Sequence, residues 1–250
     1  MKTIRLSFVA MLLLGAVACR KTDNSSSHTF NNTGNVSNGD AADMVAASLS
    51  VNSNGVANIA ADATLSATTM VNTHAKCGTT RSDTISRQST TGSPTTYSYN
   101  LTYNYTVNCD TSGHPDSLSS SLIYSGSFSN QNQSSTNSGS SIFTVSGLAQ
   151  SSEDFVINGE YKRSGSFTSK TDTVSGSNNI DIGIKALTIK RPSRVIASGT
   201  ATISVTGNVP KSGNFSYTGT LVFNGDGTAT LTLNGTVYKI NLTTGQRFNG

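Results

Sequence analysis

Few residues in this 250-residue chain have the type and spacing to do chemistry, and the clearest are sulfurs and imidazoles. His74-x-x-Cys77 and Cys109-x4-His114 offer two thiols and two rings at separations that a tetrahedral zinc ion accepts. The same two cysteines, in an exported chain, would pair with each other instead. A bridge from Cys77 to Cys109 closes a loop of about 30 residues and should add about 3–4 kcal/mol. His114 precedes Pro115 in a turn-like stretch, a poor seat for a ligand, so the disulfide is the expectation and the zinc site its alternative. No catalytic set emerges. Serine is abundant, yet no G-x-S-x-G elbow occurs. Glu153 and Asp154 are adjacent, so on a strand their carboxylates face opposite ways, unsuited to a glycosidase pair. Asp226 sits in NGDGT, which lacks the repeated acidic ligands of a calcium loop. Neither a cofactor nor an enzymatic activity is expected.

The third cysteine belongs to the opening MKTIRLSFVAMLLLGAVAC. Lys2 and Arg5 form a positive start, and the apolar run that follows is short of the about 20 residues a spanning helix needs. Residues 1–18 read as an export signal. Ala16-Val17-Ala18 suits ordinary signal peptidase, and with Cys19 it resembles a bacterial lipobox, although Ala16 stands where a leucine is usual. Parity favours lipidation of Cys19, since three exported cysteines leave one thiol over and acylation removes it. The alternative is plain secretion. Without Lys2 and Arg5 the cations fall from 17 to 15 against 13 anions, close to neutrality. Charged residues are only 12% of the chain, where about 25% is usual. Lysine and arginine do not cluster, so binding to nucleic acid has no electrostatic footprint.

The elements that would position these residues follow in order. Residues 19–38 comprise the lipidated cysteine and a Ser/Asn-rich tether with little to bury. Residues 39–76 carry helical spacing: Ala42, Val45, Ala46 and Leu49 behind an Asp40 cap, the turn NSNG, then Val56, Ile59, Ala60, Ala63, Ala67 and Met70. These predict one or two short helices covering an end or edge of a sheet. Residues 77–250 alternate with period two. The stretch TTYSYNLTYNYTVNCD sends Tyr97, Tyr99, Leu101, Tyr103, Tyr105, Val107 and Cys109 to one face and hydroxyls and amides to the other. The same apolar face recurs downstream, so the tyrosines should line a common core, with an exposed sugar-stacking platform as the alternative. TSGHPD, NQNQSSTNSG, KSGN and NGDG read as turns, and a break in parity predicts a bulge near Lys185-Ala186. Gly126, Gly165, Gly199 and Gly219 sit mid-strand, marking bends or sockets beneath cross-strand side chains. The fold class is therefore mainly β: an antiparallel meander of about eight to ten strands, forming a strongly curved sheet, a sandwich or a partly closed barrel.

Two segments carry a family likeness. Cys19 followed by Arg20-Lys21-Thr22-Asp23, and the closing FNGDGTATLTLNGTVYKINLTTG, resemble uncharacterised β-rich envelope lipoproteins of Bacteroidota. Asp83-Thr84-Ile85, Asp116-Ser117-Leu118 and Asp172-Thr173-Val174 resemble the O-glycosylation sequon of that phylum, which makes Thr84, Ser117 and Thr173 its acceptor positions. The likeness implies an outer-membrane address and transfers no active-site residue. The expected function is a non-catalytic outer-membrane lipoprotein, held by its lipid anchor and acting as a structural or binding module toward an envelope protein or a glycan. The alternative is a carrier enclosing a small apolar ligand in the curved sheet or barrel. A filled interior or an open cavity separates the two.

Overall fold

Alternation governs the chain from Thr80 onward, and the structure, a computed structural model describing residues 35–249, turns it into one sheet. The strands are β1 (Thr80–Gln88), β2 (Thr96–Cys109), β3 (Pro115–Ser129), β4 (Gln133–Ser146), β5 (Asp154–Ser169), β6 (Ser175–Lys190), β7 (Ile196–Val209), β8 (Gly213–Phe223), β9 (Thr228–Leu233), β10 (Thr236–Asn241) and β11 (Arg247–Asn249). They pair antiparallel in sequence order, and β1 does not pair with β11, so this eleven-stranded meander is an open sheet. The strand number exceeds the expected eight to ten, and the expected turn NQNQSSTNSG is mostly strand. Only residues 130–132 turn; Gln133, Ser135 and Asn137 then enter β4 and face inward. Polar residues on the inner face hid that alternation.

Two helices precede the sheet: α1 (Asn38–Leu49) and α2 (Val56–Asn72), joined by a 3₁₀ turn (Val51–Ser53). The cap of α1 is Ser37 rather than Asp40; Asp40 is the third helical residue and completes a capping box with Ser37. In α2 the expected stripe from Val56 to Met70 is buried. Their location differs from the sequence expectation. Every residue of α1 from Asp40 to Leu49 is buried, and the helix touches β6, β7, β9, β10 and β11, while α2 touches β4 and β5. A helix buried on all sides by one sheet requires that sheet to wrap around it. The helices fill the concave face instead of covering an end. Alanines 41, 42, 46 and 47 make this close approach feasible.

The tyrosine strand faces that interior. Tyr99, Tyr103 and Tyr105 are buried and Tyr97 is half-buried, whereas Asn100 and Asn104 are exposed. Opposite four of the rings sits a glycine: Tyr99 with Gly126, Tyr124 with Gly139, Phe167 with Gly176 and Phe215 with Gly207. A methyl group at Gly126 or Gly207 would strike the partner's ring and the neighbouring carbonyl. Gly165 and Gly219 serve Asn137 and Leu233 in the same way. Gly199 lies opposite the bulge expected near Lys185-Ala186, where the β6–β7 register shifts and Ala186 takes φ 51°.

Candidate functional site

At one end of the wrapped sheet the cysteine–histidine region forms the wall of a cleft. The helix α2 closes with Ala75 N–H donating to the Met70 carbonyl at 2.9 Å and His74 N–H to Val71 at 3.1 Å, His74 taking a left-handed φ of 51°. The chain then reaches Cys77, which is bonded to Cys109 at the end of β2, with Cα atoms 5.6 Å apart. Gly78 N–H donates to Val107 and Val107 N–H to Thr79, carrying the β1–β2 pairing up to the bridge. With both sulfurs in the disulfide, the zinc alternative loses its two strongest ligands. His114 is directed elsewhere, with Nδ1 3.5 Å from Asp110 Oδ2 on an exposed loop. Asp110 accepts the backbone N–H groups of His114 and Ser112 at 2.8 Å, and these bonds, with the nearby ring, hold its carboxyl below the usual range. Among the described residues no group of three or more His, Cys, Asp or Glu is placed to hold a metal.

The opposite wall is the loop of residues 147–153 between β4 and β5. Arg191 braces it, donating through Nη1 to the carbonyls of Gly147 at 3.1 Å and Ala149 at 2.9 Å while its guanidinium lies 4.5 Å from the Phe155 ring. Between the walls is a cleft of about 720 Å³. Met70, Val107 and Leu148 are its buried apolar floor; Val71 and Pro115 extend it, and His74 and Lys76 stand exposed at its rim. This surface can desolvate an apolar group and meet a negative one. It holds no nucleophile–base pair.

The strongest titratable clusters lie elsewhere and act on the helices. Asp62 of α2 accepts a bidentate pair from Arg87 of β1 at 2.9 and 2.7 Å, and also the hydroxyl of Tyr103. Burial opposes the charge on Arg87, but Asp62 outweighs it and holds the guanidinium pKa above its ordinary value. Asp43 of α1 accepts Arg247 of β11 at 2.8 Å and Asn132 at 3.0 Å; burial nevertheless raises its carboxyl pKa. Arg163 of β5 is 2% exposed, donates to the Ser53 carbonyl at 2.9 Å, and lies 5.5 and 5.7 Å from the rings of Phe128 and Tyr161. Burial works against its charge, and the oxygens of Tyr161, Tyr99 and Tyr124 outweigh it. None of the three clusters was visible as a motif. Parity was the available signal for Arg163, which shares the inward register of Tyr161 and Phe167.

Cys19 and the proposed tether up to residue 34 fall outside the described residues. Of the sequon positions, Thr84 is exposed on the edge strand β1 and Thr173 in the β5–β6 turn, whereas Ser117 is 8% exposed. Glu153 is exposed, and Asp154 pairs with Lys190 at 3.0 Å. Asp226 serves the expected hairpin, accepting Thr228 N–H at 3.0 Å between Gly225 and Gly227, both at positive φ. No family model, curated protein or solved structure matches this chain.

Proposed function

We propose that the protein is a non-catalytic lipoprotein of a bacterial outer membrane, tethered through Cys19, whose β domain is a rigid binding module. The observation that carries this reading is the filling of the concave face by the protein's own helices. A sheet plugged by α1 and α2 has no room for cargo at its centre, which favours a module over the carrier reading. The charged clusters support it too, since Asp43, Asp62 and Arg163 are engaged in holding helices. The outward strand faces are rich in Ser, Thr and Asn, suited to water; a lipid-facing barrel wall would be apolar. Among the described residues no helix is long and apolar enough to cross a membrane, so in this reading attachment falls to the anchor.

Detergent phase partitioning of the full-length protein and its Cys19→Ser variant tests the anchor. The wild type is expected in the detergent phase and the variant in the aqueous phase. Equal aqueous partitioning of both would sink the lipoprotein reading.

A further inference from the structure

We infer that the cleft at the disulfide end binds a free long-chain fatty acid, its chain on the floor of Met70, Val107 and Leu148 and its carboxylate at Lys76 and His74. The inference rests on the domain being a binding module and names that module's ligand class. Four observations carry it.

The first is size: about 720 Å³ falls within the range of about 300–1,000 Å³ typical of small-ligand sites. The second is graded polarity. The buried floor is apolar, and the polar side chains of the lining, His74, Lys76 and Gln150, are all exposed at its margin, so a sugar or a base laid on the floor would lose water there without compensation. An alkyl chain loses nothing there. The third is charge. Lys76 and His74 occupy the rim, and neither makes an ion pair among the described residues. Asp110, the carboxylate on the adjoining β2–β3 loop, is already engaged by His114 and two backbone amides. The rim therefore presents one ammonium without an ion-pair partner among the described residues, that of Lys76, beside the His74 ring. The fourth is rigidity: one wall is fixed by the Cys77–Cys109 bond and the other by Arg191, so little order has to be imposed on binding. A single chain with one anionic head matches one apolar floor with one cationic rim.

The test uses washed membranes holding the full-length protein, to which a palmitate carrying a photoreactive diazirine is added and irradiated. Peptide mapping should place the label within residues 70–77 and 148–150, and excess unlabelled palmitate should remove it. Leu148→Glu should lower labelling about tenfold, because it puts an unpaired charge on the floor. Lys76→Glu should lower it about threefold, the scale of an exposed charge contact. Val222→Arg, on the outer face, should leave it unchanged, with unaltered melting of Lys76→Glu and Val222→Arg showing that both fold. Label scattered over the surface, label that palmitate does not displace, or equal labelling by a diazirine-bearing phosphatidylethanolamine overturns the proposal. The Cys19→Ser protein, assayed in the aqueous fraction, separates the two readings. Labelling retained there upholds the site even if the wild type proves to be unanchored. Failure to label a protein that is anchored overturns the fatty-acid site alone.

Discussion

Arg163 shows how much a single inward side chain can organise. It crosses from β5 to the turn between the helices and satisfies the Ser53 carbonyl, with aromatic faces in place of a carboxylate partner. Truncation to alanine removes a desolvated cation–π contact of about 2 kcal/mol and strands a buried carbonyl at about 1–3 kcal/mol. Arg163→Ala should therefore cost about 3–5 kcal/mol in denaturant melts. Arg163→Met keeps the stem but loses the same two guanidinium contacts, so it should recover only the stem's packing and stay destabilised by most of that amount. A methionine variant as stable as the wild type would mean that the stem, not the guanidinium, holds the turn. Tyr103 and Asn104 make a second comparison at this scale, being neighbours on opposite faces of β2. Tyr103→Ala should cost about 3–5 kcal/mol, and Asn104→Ala within about 0.5 kcal/mol. Comparable small losses would contradict the filled core.

Among the elements, the strands depend on glycine sockets and the two edges on arginines. At Gly126 an added methyl meets the Tyr99 ring and a backbone carbonyl, neither of which can yield; at Gly183 it meets only the rotatable hydroxyl of Thr202. Gly126→Ala should therefore lose about 1–3 kcal/mol by overpacking, while Gly183→Ala should be near neutral. Thermal or denaturant melts of the pair decide it, and equal effects would remove the socket argument. The unpaired edges β1 and β11 are each tied to a helix through Arg87 and Arg247. The strands, the hairpin at Asn224–Gly227 and the disulfide were legible in the sequence because alternation, turn chemistry and cysteine parity are local signals. The helices' burial inside the sheet was not, since an amphipathic stripe says that a helix packs without saying on what. The first half of β4 read as a turn because Ser135 and Asn137 face inward to meet other polar groups: Asn137 exchanges hydrogen bonds with the Tyr99 hydroxyl at 3.2 and 3.3 Å. The cleft was half legible: His74 and Cys77 stood out as chemistry, whereas Leu148 reaches the same place only through the fold.

For the whole molecule, burying tyrosines around helices makes stability a function of alkaline pH. Tyr99, Tyr103, Tyr105 and Tyr161 all have pKa values raised above their ordinary position, with burial the first cause in each. Asp62 adds to the effect at Tyr103 and Tyr105, while Arg163 opposes it at Tyr99 and Tyr161. A raised value means that the folded chain keeps protons that the unfolded chain releases above about pH 10. The contribution is fully present below that pH and is lost as pH climbs toward the folded values. Each tyrosine still protonated in the fold removes about 1.4 kcal/mol per pH unit, so the four together remove at most about 5–6 kcal/mol per unit. Against a typical total of about 5–15 kcal/mol, unfolding should arrive no sooner than about one unit above pH 10. Tyrosinate absorbance from these four should therefore rise in one cooperative step together with the loss of β circular dichroism. Replacing Tyr161 by phenylalanine removes one of the four protons and should make the stability loss shallower by about a quarter. A smooth titration of all eight tyrosines while the β signal persists would show that these rings reach water in the folded protein, and the plugged, wrapped sheet would have to be given up.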